Sequence, residues 1–314
     1  QGTLYGSGPL SGTVRYIPVA PNLDNVEGSI EVDFATVAES DDTNQSFSGV
    51  FNTPLIEGTL GLRVAAYHFE DAGFLDLVST AEIEAVAAAT GNQVRVEEDV
   101  NSVTTSGIRA SLLWDISDAV NVNLTLGTQD QELDGAWESM TDLESGGYQT
   151  LGLDIGDEGR TSDADYAGLV VNYDLGWAAL TSSSSLLSAL RTDEQQVYPL
   201  VPGVFLGPTN QVFSYETDMF SQELRLSSQS EGPVQFIAGL YYEDVEQEFN
   251  YDLAWHGVPF TDTLDVHGFG AGFEFGFPDA PVPGVATRNS SFLDYQQFAV
   301  FGELSYQLSD GLEL

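Results

Sequence analysis

Hydrophobicity in this chain repeats every second residue, and the segments that carry the repeat are joined by connections that run short, long, short, long. The clearest segment, Val120 to Gln129, places Val120, Val122, Leu124 and Leu126 on one face of an extended chain and Asn121, Asn123, Thr125 and Gln129 on the other. The same alternation recurs in Ile30 to Phe34, Ile108 to Trp114, Phe220 to Ser227, Val234 to Leu240 and Val300 to Tyr306. A helix needs apolar residues three and four positions apart, and none of these windows offers that stripe. They read as strands, about ten in all.

One face of each strand prefers hydrocarbon and the other prefers water, which points to a barrel crossing a membrane. Hydrophobic residues make up 42% of the chain, and no run approaches the roughly 18 consecutive apolar residues of a spanning helix. The expected fold class is therefore all-β: a partial antiparallel transmembrane β-barrel over residues 26–314. Brief connections rich in turn residues fall near 53–58, 117–119, 176–177, 229–233 and 309–311. Long ones fall near 71–104, 132–165, 192–218 and 248–295, all on the opposite side, where outer-membrane barrels carry their extracellular loops. The strands bounding the last two long loops are expected to end at Arg191 and Gln247 and to resume at Met219 and Gln296. Thr80 to Thr90, rich in alanine, predicts a short helix inside the first long loop. Ten strands leave edges whose orphan backbone groups would each cost several kcal/mol in lipid, so further strands are expected in the intact protein. Both ends read as cut: Gln1 to Tyr5 is no signal peptide, and the last residues are a turn with the start of another strand.

The chain carries 49 Asp and Glu against 8 basic residues, every one of them arginine, for a net charge of −41. Nucleic acid is excluded as a partner, because phosphate binding needs concentrated positive charge. The acid excess reads either as attraction of a cationic or metal-bearing ligand or as a solvated, salt-tolerant surface; its spread through most connections favours the surface. Cysteine is absent, which removes disulfides and thiolate chemistry.

Residues Gln1 to Pro18 form a glycine-rich run around Leu4-Tyr5-Gly6 that ends in a short apolar stretch. Gly2, Thr3, Leu4, Tyr5, Gly6, Gly8 and Gly12 in this run resemble the end of the plug domain of TonB-dependent outer-membrane receptors. Pro9 and Ser11 depart from that pattern. Phe220 to Ser227 leading to Phe236 to Tyr242, and Phe298 to Leu304, are similar to barrel strands of the same family. The resemblance implies that residues 1–25 are the C-terminal end of a plug and residues 26–314 the N-terminal part of a roughly 22-stranded barrel. It implies location in the cell outer membrane and partnership with outer-membrane lipid, with a small extracellular ligand and, through the missing N-terminal part, with the TonB energy-transducing complex. The implied function is uptake of a scarce ligand, a ferric siderophore or other iron complex, with saccharide, heme or vitamin as alternatives. A passive channel or adhesion barrel is the rival class, and a soluble acidic β-sandwich comes third.

An enzyme is not expected, because His68, His256 and His267 are scattered and form no triad or HExxH motif. Neither a cofactor nor a resident metal is expected. Asp154, Asp157, Glu158, Asp163 and Asp165 form an acidic cluster without EF-hand spacing, which reads as a solvated loop. Arg63, Arg109 and Arg225, with Glu223, fall on the polar face of their strands and are lumen candidates, pairing with wall or plug acids. Tyr67, Trp114, Tyr173, Trp177, Tyr242 and Tyr306 suit interfacial girdles. Trp137, Tyr148, Tyr198, Phe213, Trp255, His256, His267 and Phe269 are candidates for ligand contact in the long loops.

Overall fold

The fold was read from a computed structural model, which describes residues 17–136, 149–197, 200–201, 204–205, 209–230, 232–255, 285–309 and 312–313. The elements in order are β1 (Glu27–Thr36), β2 (Thr43–Ile56), β3 (Leu60–Asp71), β4 (Asp76–Val78), α1 (Ala81–Thr90), β5 (Gln93–Val94), β6 (Val103–Ser117), β7 (Val120–Asp134), β8 (Gln149–Leu151), β9 (Leu153–Asp154), β10 (Gly159–Asp174), β11 (Ala178–Val197), β12 (Leu200–Val201), β13 (Val204–Phe205), β14 (Thr209–Ser228), β15 (Val234–Trp255), β16 (Val285–Ser309) and β17 (Leu312–Glu313). Ten long strands and the short β17 form one antiparallel sheet in the order β1-β2-β3-β6-β7-β10-β11-β14-β15-β16-β17. This is an up-and-down wall. Among the described residues it stays open, with β1 and β17 at its edges.

The pairing register carries the alternation of each strand across the whole wall. Leu112, Leu124, Leu169 and Ser184 follow one another in a single cross-strand row, and Ala110, Leu126, Ala167, Leu186 and Phe220 follow in the next. This face is convex and exposed: Ile30 is 86% accessible, Val300 71% and Leu126 49%. The opposite, concave face buries polar groups instead, among them Asn52, Ser111, Asp193 and Glu243. A soluble fold would reverse the two, so the sheet is inside out with respect to water. Trp114, Tyr173 and Tyr306 sit on the convex face toward the short-turn end, with Trp177 in the β10–β11 turn. Tyr67 does not join them; its register partner Gly107 places it on the concave face.

Glycine matters at the tight turn between β10 and β11, where Gly176 has a φ of 83° and the Asp174 carboxylate accepts its N–H at 2.7 Å. It matters again on the concave face. Tyr67 lies over Gly107, Tyr166 over Gly127 and Phe301 over Gly239, each ring covering its direct cross-strand partner. A side chain at any of the three glycines would occupy the space of the ring.

On the long-loop side the strands run further than the hydrophobic pattern indicates. β11 continues to Val197, β14 starts at Thr209, β15 reaches Trp255 and β16 starts at Val285. Ladder hydrogen bonds persist there while the convex face turns polar, so the apolar stripe of that face stops short of the extension. Two of the four long connections then fold into a cap. β4 pairs in parallel with β8, β5 antiparallel with β9, and α1 lies between β4 and β5. Ile83, Ala87, Leu151, Leu153 and Ile155 form one buried cluster in the cap, and Leu75, Leu77, Val100 and Ala136 a second. Helix α1 starts where the Thr80 hydroxyl accepts the Ile83 N–H at 3.3 Å and stops at Gly91, whose φ is 76°.

Candidate functional site

At the short-turn end of the concave face, the segment before β1 is fastened to the wall. The buried Asn52 side chain donates to the carbonyls of Asn22 (3.0 Å) and Asn25 (2.8 Å) and accepts the Asn22 N–H (2.9 Å). The Gly58 N–H donates to the Leu23 carbonyl at 2.9 Å, and Pro21, Asn22 and Leu23 close over Gly61. Arg63 and Glu27 approach to 3.8 Å beside this clamp. The plug-like residues Gly2, Thr3, Leu4, Tyr5, Gly6, Gly8 and Gly12 lie outside the described residues.

Higher on the same face, Arg109 stands opposite Ala65 and Gly127, with Tyr67 and Tyr166 covering the glycines beside it. The Tyr67 hydroxyl donates to Gln129 at 2.6 Å. Glu223 and Arg225, two residues apart on β14, approach to 3.8 Å. Glu243 is buried, and its carboxylate accepts the hydroxyls of Tyr241 (2.5 Å) and Tyr295 (3.0 Å). The four lumen candidates Arg63, Arg109, Glu223 and Arg225 thus share the concave face, spread over β3, β6 and β14.

A denser constellation lies near the long-loop end. Asp193 is buried between two guanidinium groups: Arg191 grips it through Nε at 3.1 Å and Nη2 at 2.6 Å, and Arg160 reaches it from the neighbouring strand. Two cations share one anion, so the trio carries a net positive charge within a strongly acidic chain. Arg191 also lies 5.7 Å from the centroid of the Tyr215 ring, and Tyr215 meets Phe249 at 5.0 Å. Phe213 stacks on Tyr251 at 4.9 Å. By register all seven side chains project from the concave face of β10, β11, β14 and β15. An aromatic shelf edged by guanidinium groups suits a ligand that is flat, anionic or both. Only Phe213 belongs to the residues singled out by sequence, as a loop aromatic. Phe213 with Tyr215, Phe249 with Tyr251 and Arg191 with Asp193 all stand two apart, the spacing of one strand face, and that spacing was the available signal.

The acidic cluster proposed from sequence is divided. Asp154 belongs to the cap, whereas Asp163 and Asp165 stand on the convex face of β10. Glu158 joins cap to wall: its carboxylate accepts the Gln196 N–H at 3.2 Å, while the Gln196 side chain donates to the Gly156 carbonyl at 2.8 Å. Burial pushes the Glu158 carboxyl above its ordinary range, against the lowering effects of the Gln196 N–H and of Arg95. Burial acts to lower the Arg95 guanidinium, but its hydrogen bond to Glu97 and the charges of Glu97, Asp134 and Glu158 outweigh that and raise it. Among the described residues no three His, Asp or Glu gather into a metal-binding group. Of the loop candidates, Trp137, Tyr148, Tyr198, His256, His267 and Phe269 lie outside the described residues, and Trp255 is the last residue of β15.

With this geometry in place, comparison with solved structures gives the fold a precedent. The chain is similar to the ferric yersiniabactin uptake receptor FyuA from Yersinia pestis, with a TM-score of 0.57 and 15% identity over 93% of this chain and 46% of that one. Two further similar structures are the RagAB peptide importer (TM-score 0.47, 10% identity, 85% of this chain and 30% of that one) and a mutant of the ferric enterobactin receptor PfeA from Pseudomonas aeruginosa (0.46, 10%, 93% and 43%). No protein-family profile matches the chain, and no curated protein sequence matches it. The chain spans less than half the length of FyuA. What the two share is the fold: part of an antiparallel β-barrel wall.

Proposed function

We propose that this chain is the N-terminal part of the barrel of a TonB-dependent receptor in the cell outer membrane, with residues 1–25 the end of its plug. The intact protein takes up a ferric siderophore or another iron complex from outside the cell. The observation that carries the ligand class is the Arg160–Asp193–Arg191 trio beside Tyr215 and Phe249 on the concave face, close under the folded cap. Iron chelates commonly present anionic, planar or aromatic donors, and this surface offers both complements. The wall contributes no covalent chemistry; it selects by contact and releases when the plug moves.

The plug assignment is supported by the Asn52 clamp, which brings the chain preceding β1 onto the concave face at the short-turn end. A plug leaving the lumen at that end has this path. Uptake is tested by expressing the full-length protein in an iron-starved Gram-negative host stripped of its own receptors, with and without TonB, and measuring entry of radiolabelled ferric chelates. TonB-dependent uptake that falls at least tenfold in R191A/Y215A, with surface expression unchanged, supports the reading; tenfold corresponds to about 1.4 kcal/mol of binding, the order expected for a charge-assisted contact. TonB-independent leakage of small solutes of every charge overturns it in favour of a channel.

A further inference from the structure

The convex face holds a feature that ligand uptake does not use. Two adjacent register rows border a groove of about 700 Å³, within the span of roughly 300–1,000 Å³ in which small-molecule sites fall. Its lower row carries the short side chains of Ala110 and Ala167 and the longer ones of Leu126, Leu186 and Phe220. Its upper row carries Asp165, Asp218 and Glu246. One row further toward the loops stand Asp130, Asp163, Glu216 and Glu248; no arginine occupies either acidic row, and His68, in line with Asp130 through Ser106, is engaged by Ser106 and Glu70.

Acids oppose acids directly across this edge, Asp218 facing Glu246, Glu216 facing Glu248 and Asp130 facing Asp163. Like charges in direct cross-strand positions destabilise a sheet. Asp244, at the end of the lower row, is satisfied by the Tyr242 hydroxyl at 3.1 Å and the Gln296 amide at 3.2 Å. Asp165, Asp218 and Glu246 are exposed and make no hydrogen bond or ion pair with a described residue. Their charge is uncompensated where the apolar belt dips into this groove.

We propose that this groove seats a lipid of the surrounding leaflet, its acyl chain over Ala110 and Ala167 and a positively charged amine headgroup against Asp165, Asp218 and Glu246. The inference rests on the reading of the convex face as lipid-facing. The order of the site, apolar below and anionic above, is the order of a lipid with a cationic head. An anionic headgroup would meet repulsion from every carboxylate of both rows, whereas an amine relieves it.

The test places the full-length protein in phosphatidylcholine nanodiscs doped with a photoactivatable lipid, either a dialkylamine or a phosphatidylglycerol, and maps the crosslinks by mass spectrometry. The amine probe should label the groove peptides of β7, β10, β11 and β14 on the order of tenfold more than the anionic probe, as the summed attraction of the three carboxylates at a membrane surface implies. D165N/D218N/E246Q should abolish that preference. A167W, which fills the floor and leaves the acids in place, should abolish groove labelling while labelling around Val300 persists. Equal labelling by the two probes at the groove, or a preference that survives A167W, overturns the proposal. So does protection of the groove from both probes by a co-purifying protein. If neither probe labels Leu124 or Val300, the lipid-facing reading itself has failed; belt labelling without groove preference sinks only the bound lipid.

Discussion

The wall and the cap are made of the same residue types placed in opposite senses. In the cap Leu153 and Ile83 are fully buried and the helix end is sealed by Thr80 and Gly91, the arrangement of a small soluble domain. In the wall Leu126 is 49% accessible and Val300 71%, while Asn52 and Glu243 are shut away from water. The contrast locates the membrane better than any single residue does, because one chain obeys both rules and switches between them where β3, β6, β7 and β10 meet the cap. It also separates two sources of stability: hydrophobic collapse holds the cap, and lipid contact with a continuous hydrogen-bonded ladder holds the wall.

The most disruptive substitution breaks the cap alone. Leu153→Ala leaves a cavity in a cluster only a few side chains wide, and a buried leucine truncated in this way costs about 2–5 kcal/mol. Hydrogen exchange should rise sharply over α1, β4 and β5 while the β7 and β10 amides stay protected; parallel loss of protection in both regions would show that the cap has no cooperative unit of its own. Next comes Leu124→Arg, placed in the middle of the convex belt, which should cost about 2–4 kcal/mol in a bilayer. The same substitution should cost far less in a mild detergent micelle that lets the side chain reach water. Denaturant titrations in vesicles and in detergent give the two values, and equal costs in both would argue against a bilayer-facing Leu124.

A smaller effect is expected from Gly127→Ala. The added methyl group enters the space of the Tyr166 ring, which must leave its place on the concave face. Overpacking of this kind costs about 1–3 kcal/mol. Gly168→Ala, on the same face but with open space around it, is the control and should be close to neutral. Thermal melting of the two variants separates the contribution of the ring from any general intolerance of the strand to side chains.

The sequence made the wall legible through Val120 to Leu126 and its equivalents, because burial in lipid on one side and water on the other imposes a period of two. It made α1 legible through a threonine cap and an alanine run. The cap as a unit was not legible. β4 and β8 are three residues each and meet across some seventy positions of chain, and pairing at that separation leaves no local periodicity. The Arg160–Asp193–Arg191 trio was hidden for a related reason: Arg191 ends the expected strand, while Arg160 and Asp193 fall in polar stretches that read as loop. Beyond the apolar belt the convex face of these strands turns polar, and what continues is the ladder together with the two-residue spacing of Phe213 and Tyr215 and of Phe249 and Tyr251 on the concave face.

The mildest perturbation falls at the joint between the two regions. Glu158 accepts the Gln196 N–H from β11, and burial raises its carboxyl above the ordinary value of 4.5. A carboxyl with a raised folded-state pKa favours the folded joint when protonated. Its contribution is fully present below the unfolded pKa and is lost as pH rises through the folded one. Protection of the Gln196 amide, corrected for intrinsic exchange, should therefore decline between mildly acidic and neutral pH in the wild type. In Glu158→Gln the side-chain carbonyl still accepts the N–H but carries no charge, so protection should be flat across that range and should exceed the wild type at neutral pH. A wild-type profile that is already flat, or a variant that keeps the slope, would place the pH sensitivity of the joint elsewhere, with Arg95 and the acids around it next in line.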